Sequence, residues 1–304
     1  MKKLYIISIV STLALAIFGC TRIENGDMDN AEPKVFKVFQ AIIEGDNSDT
    51  KTILGGDPSD TLRKIYWEPN DSIAVSRDTY SYYDGNIPKF TNNSSDTSRV
   101  GNFTGSISDG RMYYALYPYN KSITYNYNNN KRIFEFTLPE KQVYGENTFG
   151  SSSFPMVGKL DTAAVTPQFI FKNLCGILVI NLKGTETVKS ITFRGTDSTG
   201  VAAKVSGKAS VNAAYTGEPN MVMESDAGIT MTLDCLDGVT LNETDSTSFY
   251  MVLPAGKYNS FNIAIATADG KIMYKGTDKP LTIRRSSATF ATSLNYVEMP
   301  VTSL

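Results

Sequence analysis

Residues 248–271 read SFYMVLPAGKYNSFNIAIATADGK, and apolar side chains recur at alternate positions along much of this stretch. A period of two is typical of a β-strand that buries one face. The pair Asp269-Gly270 follows the second alternating run, and Asp-Gly favours the tight turns that join antiparallel strands. The stretch therefore predicts two strands and a tight turn.

The same pattern recurs along the rest of the chain. Strand candidates occur at KIYWEPNDSIAV, RIFEFTLP, ITFRG, ITMTLDCL and PLTIRR, and turn signals separate them at 55–58, 83–86, 109–110 and 237–238. The sequence has no sustained apolar run with a helical period of about 3.6 residues. We therefore predict an all-β protein, in which the apolar face of each sheet is covered by another sheet.

We expect two tandem β-sandwich domains. The length of 304 residues suffices for two domains at roughly 100 to 200 residues each. The segment VGKLDTAAVTP at 157–167 is rich in small residues and ends at a Pro, which favours a boundary there. The N-terminal domain then covers residues 34–160 and the C-terminal domain residues 161–304.

The absence of histidine restricts the chemistry of the protein. The sequence contains no His, which excludes Ser-His-Asp and Cys-His catalysis and imidazole metal sites. With 29 basic and 31 acidic residues the net charge is −2, so no general attraction to nucleic acid is expected. The composition favours binding or structure over catalysis, and we expect no cofactor and no metal.

The N-terminus has the pattern of an export signal. A basic start precedes an apolar run that ends at Cys20, so residues 1–19 are predicted to be a signal peptide. The last four residues of this region, IFGC, resemble a bacterial lipobox, which predicts a lipid on Cys20 and anchoring in the outer membrane. The alternative is an incidental Cys beside an ordinary cleavage site. Residues 20–33 are polar and are expected to form a flexible stalk.

The segment KVFKVFQAIIE at residues 34–44 is ambiguous between strand and helix. As a strand it would be apolar on both faces, with Phe36, Val38 and Ile42 on one and Val35, Phe39, Ala41 and Ile43 on the other. We predict a first strand buried in the core on both sides. A helix with an apolar stripe is the alternative.

Cys175 and Cys235 lie within apolar runs. Cys in such a context usually packs as a small hydrophobic residue, so we expect two buried free thiols. A disulfide is the alternative, because export permits oxidation.

Tyr-rich segments at residues 80–85 and 113–130 suggest two interpretations. Alternating Tyr residues are good strand formers that bury the ring, and this is the favoured one. The alternative is glycan contact through Tyr113 and Tyr117. Glu68 and Asp71 are the one carboxylate pair to consider for acid/base chemistry, but we expect them to cap a turn.

Several separate segments, in their order, resemble the fimbrillin-like (Mfa-like) proteins of Bacteroidales type V fimbriae. In the first half these are KTIL at 51–54, IYWEPNDSIAV at 65–75, FTGSI at 103–107 and YYALYPYN at 113–120. In the second half they are FKNLCGILVINLKG at 171–184 and FYMVLPAGKYNSFNIAIATADGK at 249–271. The resemblance makes the pattern of Trp67, Asp71, Ile73 and Val75 a signature of the fold rather than of a site.

The resemblance implies two transthyretin-like β-sandwiches in a surface-exposed lipoprotein that serves cell adhesion as a shaft, tip, anchor or accessory subunit. Its partners would be other fimbrial subunits and a host or bacterial surface ligand. It also implies assembly by β-strand addition, in which an Arg-directed protease removes the first strand and a strand from a neighbour fills the groove. Here residues 34–44 would leave and residues 289–304 would be the donor.

The sequence departs from the pattern of a processed shaft subunit, because no Arg lies between Arg22 and Arg63. The candidate processing residues are therefore Lys51 and Arg63, and an unprocessed anchor or accessory subunit is the alternative. Two other classes stay open at this point. One is a solitary surface lipoprotein that binds glycans, and the other, which we do not expect, is a carboxylate-based glycoside hydrolase.

Overall fold

A computed structural model describes residues 33–44, 65–78, 80–82, 86–128, 131–291 and 294–296. Within these ranges the chain forms short β-strands and turns and has no helix, so the prediction of an all-β protein is confirmed. The described ranges accordingly contain no helix that is long and apolar enough to cross a membrane.

The strands of the first half are, in order, β1 (Val35–Ile43), β2 (Ser72–Arg77), β3 (Lys89–Asn92), β4 (Gly101–Ile107), β5 (Met112–Tyr117), β6 (Thr124–Asn128), β7 (Lys131–Leu138), β8 (Lys141–Gly145), β9 (Thr148–Phe149), β10 (Met156–Asp161) and β11 (Phe169–Asn173). Those of the second half are β12 (Cys175–Lys183), β13 (Thr187–Thr196), β14 (Gly207–Asn212), β15 (Met221–Met223), β16 (Met231–Thr240), β17 (Thr247–Pro254), β18 (Gly256–Tyr258), β19 (Ser260–Thr267), β20 (Ile272–Thr277), β21 (Leu281–Ile283), β22 (Ala288–Phe290) and β23 (Leu294–Asn295).

Seven strands close into a barrel in the order β1-β11-β10-β5-β2-β3-β4. The sheet closes because β1 pairs on both of its edges. Its residues 35–41 run antiparallel to β4, and its residues 41–43 run parallel to β11. Seven of the eleven strands of the first half therefore form a closed barrel, in which none of the seven is left as an open edge.

Four further sheets complete the fold. They are β17-β12-β22 with β23 also on β12, β20-β19-β13-β16-β8-β9, β15-β14-β7-β6, and β18-β21. The sheet β15-β14-β7-β6 packs against the outside of β2, β5 and β10, and this second core includes Tyr114, Leu116, Phe134, Val157 and Val211. Strands from the two halves of the sequence thus share sheets.

The predicted domain boundary between residues 160 and 161 falls inside β10, a strand of the barrel. The small residues at 162–167 that favoured a linker form the connection from β10 to β11. The barrel ends at Asn173, and Pro33–Leu304 forms one compact unit. A division into two domains at these positions stays a prediction.

The first strand is confirmed at residues 35–43, but the prediction that both of its faces are buried is wrong. Phe39, Ala41 and Ile43 are buried in the barrel core. Phe36 and Val38, on the other face, are 66% and 57% exposed. The reason is that the covering sheet packs on β2, β5 and β10, which leaves the outer face of β1 toward solvent.

Candidate functional site

The groove that β1 occupies is lined by aromatic side chains. The ring centroid of Phe39 lies 5.2 Å from that of Phe90, 4.9 Å from that of Tyr113 and 5.3 Å from that of Phe169. Such tilted and edge-to-face pairs add about 0.5–1.5 kcal/mol each to the free energy of burial. Phe39 is therefore the main side-chain contact between β1 and the rest of the barrel.

Trp67 contacts β1 through its polar atom. Its indole Nε1 donates a hydrogen bond to the carbonyl oxygen of Ala41 at 3.0 Å. The indole ring stacks edge-on against Phe103, Tyr117 and Phe171, with centroid distances of 4.9, 5.5 and 5.2 Å. Because the acceptor is a backbone atom, this contact does not depend on which side chain β1 carries there.

An ion pair holds the N-terminal part of β1. The Nζ of Lys37 lies 2.6 Å from Oδ1 of Asp109, which follows β4. The hydrogen bond from Lys37 to Asp109 raises the pKa of the Lys37 ammonium above its usual value. The contact with Asp109 therefore favours the charged form of Lys37 while β1 is in place.

A denser polar cluster holds the C-terminal end of β1. The backbone N–H of Glu44 donates to the carbonyl oxygen of Phe171 at 2.7 Å. The Glu44 carboxylate accepts from the backbone N–H of Asn173 at 3.2 Å and from the Ser286 hydroxyl at 3.1 Å, and it pairs with the Arg285 guanidinium. The side chains of Glu44 and Arg285 are only 17% and 18% exposed. The end of β1 is thus tied to the residues just before β22.

The C-terminal strands lie in a sheet of this chain. β22 runs parallel to β12 over residues 177–179, and β23 pairs with Leu182 and Lys183. The N–H of Ala291 donates to Val179 O at 2.8 Å, and the N–H of Tyr296 donates to Lys183 O at 2.6 Å. The described part of the predicted donor segment, 289–304, is therefore paired along one edge of its own sheet.

Tyr113 and Tyr117 lie inside the barrel, each only 1% exposed. The Tyr113 hydroxyl donates to Ser108 O at 3.1 Å, and the Tyr117 hydroxyl donates to Asp71 Oδ1 at 2.9 Å. Burial, with Asp71 adding to it, raises the pKa of Tyr117 well above its usual value. Glycan contact by these two side chains is therefore wrong, because a buried ring offers no face to a sugar.

Glu68 and Asp71 form a capped turn. Oδ2 of Asp71 accepts from the backbone N–H of Glu68 at 2.8 Å, and the N–H of Asp71 donates to Glu68 O at 3.2 Å. Between them Asn70 adopts a φ of 67°, a left-handed conformation that Asn tolerates. Oε2 of Glu68 accepts from the Ser151 hydroxyl at 3.3 Å. The predicted capping role is confirmed.

The other predicted positions are three candidate modification residues and two cysteines. Cys20, Lys51 and Arg63 lie outside the described residues, so lipidation and processing stay predictions. Cys175 and Cys235 are free and buried, which confirms the free-thiol interpretation. Burial raises the pKa of the Cys235 thiol to about 12 and also raises that of Cys175. The described ranges hold no group of three or more acidic or Cys side chains placed to bind a metal.

The sequence does not predict two of the polar contacts in the structure. The amide of Gln142, which is 1% exposed, donates to Val252 O at 2.7 Å and accepts from Val252 N at 2.9 Å. It occupies the place of a neighbouring strand beside β17. The pairing of Glu44 with Arg285 joins residues 241 positions apart, and no local pattern in the sequence indicates it.

No family model and no curated protein matches the sequence. Among solved structures the chain is similar to a Bacteroides ovatus protein that is provisionally described as a cell adhesion protein, with a TM-score of 0.48 and 11% identity. A Bacteroides uniformis protein with the same description gives a TM-score of 0.46 and 15% identity. Each match covers 86% of this chain and 92% of the other. The tip fimbrial protein Mfa3 of Porphyromonas gingivalis, in a form with a C-terminal truncation, gives 0.28 and 10%, over 83% of this chain and 92% of that one.

These neighbours are described as cell adhesion and fimbrial proteins. TM-scores below 0.5 do not by themselves establish a common fold. The all-β class therefore rests on the strands and sheets of this chain.

Proposed function

We propose that this chain is a surface-exposed fimbrial subunit, or an accessory or anchor protein of a fimbrium, that serves cell adhesion and assembles by β-strand addition. The observation that carries the proposal is that β1, the first strand in the described part of the chain, alone closes the barrel between β4 and β11. A strand in that groove is held by backbone hydrogen bonds on both edges and by alternate side chains, which is the chemistry of strand addition.

The groove selects a simple side-chain pattern. The inward residues of β1 are Phe39, Ala41 and Ile43, so the order is large, small, large at alternate positions. Full burial contributes about 1.5–3 kcal/mol for each large side chain, or roughly 3–6 kcal/mol for the Phe and Ile together. Removal of β1 would expose this apolar groove and two unpaired strand edges, a state prone to association.

The C-terminal segment carries the same pattern. In the sequence, Phe290, Thr292 and Leu294 repeat the order large, small, large at alternate positions. In this chain Phe290 is 42% exposed, so its ring is only partly buried against its own sheet. These features support residues 289–304 as the donor to a neighbouring subunit.

The proposal also assigns a location and a processing state. A lipid on Cys20, after removal of residues 1–19, would hold the protein in the outer membrane through the stalk at 20–33. Cleavage at Lys51 or Arg63 would release β1 and produce a shaft or tip subunit. A chain that keeps β1 would be an anchor or accessory subunit, and neither form requires a catalytic group.

N-terminal sequencing of the form on the cell surface tests the processing state. A start just after Lys51 or Arg63 supports a processed subunit, whereas a blocked N-terminus at Cys20 eliminates that form. Immunogold electron microscopy with antibody to this chain then tests the fimbrial role. Label on filaments or at their base is expected, and label on cells that show no filaments contradicts it.

Strand addition itself is tested by Phe290→Asp in the full chain. This side chain is partly exposed in the subunit, so the variant should still fold, but a charge cannot occupy the apolar groove of a neighbour. We expect filament label to disappear while the amount of surface protein is retained. Val222→Asp, at another exposed strand position, is the matched control and should leave filaments intact. Unchanged filaments in both variants would rule out the proposed donor.

A further inference from the structure

The Arg285 guanidinium joins three parts of the molecule. It contacts both oxygens of the Glu44 carboxylate, at the end of β1, with Nη2 lying 3.2 Å from Oε2. Its Nη1 also donates to the carbonyl oxygen of Asn173 at 2.8 Å, at the end of β11. Two-point contact between a guanidinium and a carboxylate fixes orientation as well as distance. The Arg285 guanidinium, the Glu44 carboxylate and the Asn173 carbonyl therefore hold one another in a defined geometry.

Arg285 stands at the entry to the C-terminal strands. It lies in the turn between β21 and β22, next to Ser286, whose φ is 59°. The N–H of Ser286 donates to Cys175 O at 3.1 Å, and the N–H of Ile177 donates to Ser287 O at 2.9 Å. The position of this turn thus sets where β22 begins to pair with β12.

The pairing beyond the turn is short. β22 has three register pairs with β12, and β23 has two. Short edge strands with few hydrogen bonds are the parts of a fold that open at the lowest free energy. Contacts at the start of β22 therefore make a large difference to whether this segment stays in place.

The charges around Arg285 depend on Glu44. Lys172 lies 3.6 Å from Glu44 Oε2 and 3.1 Å from Glu218 Oε1, and Glu218 also pairs with Arg285. With Glu44 present, the charges of these two basic and two acidic side chains sum to zero. Without it, two basic groups share the more exposed carboxylate of Glu218, and partly buried charges that lose a partner are destabilised.

We propose that Glu44, Asn173, Arg285 and Ser286 form a clasp that couples the first strand to the last ones. While β1 fills the barrel, Glu44 holds Arg285 and so keeps β22 and β23 on β12. When β1 leaves, Glu44 leaves with it, and the C-terminal segment becomes free to pair elsewhere. The inference rests on the proposed function, since it specifies what makes the donor strand available.

Hydrogen exchange measured by mass spectrometry on the full chain tests the clasp. We expect Glu44→Gln to speed exchange of the amides of Ala291 and Tyr296 about tenfold or more, equivalent to about 1.4 kcal/mol. Lys37→Gln is the matched control, because it removes the ion pair at the other end of the same strand. It should leave exchange at both C-terminal amides unchanged.

The coupling must also act in reverse, since linkage between two sites is reciprocal. Arg285→Lys keeps the charge but loses the two-point geometry, and it should speed exchange of the Glu44 amide. It also serves as the test if Glu44→Gln unfolds the chain. Faster exchange confined to β1 and β11 in Glu44→Gln, with Ala291 and Tyr296 at wild-type rates, overturns the clasp.

The exchange experiment separates this inference from the proposed function. Coupled exchange in a protein that forms no filaments would retain the clasp and reject the fimbrial role. Filaments in a protein whose two ends exchange independently would retain the fimbrial role and reject the clasp.

Discussion

The indole N–H of Trp67 donates to the backbone carbonyl of Ala41 across 3.0 Å, and both residues are completely buried. The hydrogen bond joins Trp67, which the resemblance makes part of a fold signature, to the C-terminal part of β1. Because the acceptor belongs to the main chain, any strand that replaced β1 in the same register would present it as well. Trp67 is thus a core residue of the barrel and a contact of the β1 backbone.

The first prediction concerns this hydrogen bond. Trp67→Phe leaves the Ala41 carbonyl without its indole donor and removes part of a buried ring. An unsatisfied buried acceptor costs about 1–3 kcal/mol and the lost volume adds to it, so we expect a loss of about 2–4 kcal/mol in the free energy of unfolding. Urea unfolding followed by circular dichroism measures it. Tyr274→Phe, at an exposed position, is the control, and an equally small effect in both variants would contradict the assigned role.

A second prediction compares the two faces of β1. Phe39→Ala opens a cavity among Phe90, Tyr113 and Phe169, and should lower the free energy of unfolding by about 3–5 kcal/mol. Phe36→Ala, three positions away on the exposed face, should change it by less than about 0.5 kcal/mol. Urea unfolding of both variants gives the comparison directly. Similar losses would mean that the outer face is also packed.

The contrast between these two residues shows what the sequence could predict about β1. Alternation predicts a strand, but residues 35–43 are apolar at odd and even positions alike. Which face is inside depends on the register with β4 and on the sheet that covers β2, β5 and β10. Those are tertiary facts that a local pattern does not contain. The exposed Phe36 and Val38 could not be distinguished from the buried Phe39.

The sequence predicts local structure better where a few neighbouring residues determine it. The sequence predicts the turn at Glu68 and Asp71 because an Asp side chain accepts hydrogen bonds from nearby backbone N–H groups. The donor, the N–H of Glu68, lies only three positions before Asp71. The segment at residues 162–167 is the opposite case. Small residues at 162–167 fit a linker and a turn equally well, and only the pairing of β10 with β11 shows that they form a turn.

A third prediction uses the thiol of Cys235. Burial raises its pKa from 9.0 to about 12, so folding favours the neutral thiol. Its contribution to stability is present below about pH 9, the unfolded-state value, and is lost as the pH rises from there toward about 12. When the pH is raised from about 8 to about 11, the free energy of unfolding should therefore fall less in Cys235→Ala than in the wild-type protein. Urea unfolding at both pH values tests this, and identical pH slopes would exclude the thiol as a contributor.

The last prediction concerns Gln142, whose amide supplies both hydrogen bonds to Val252 at the edge of β17. Gln142→Met has nearly the same shape but leaves a buried N–H and a buried carbonyl without these partners. At about 1–3 kcal/mol for each of the two unsatisfied groups, we expect the free energy of unfolding to fall by about 2–6 kcal/mol. Gln40→Met on the exposed face of β1 is the matched control and should have little effect.

Hydrogen exchange locates the effect of the Gln142 substitution. The Val252 amide should exchange faster in Gln142→Met, because its acceptor on the Gln142 side chain is gone. The amides of β1 should keep their rates, since the barrel groove lies apart from this contact in the sheet order. A loss of stability with no change at Val252 would show that side-chain packing around residue 142, rather than the two hydrogen bonds, joins β8 to β17.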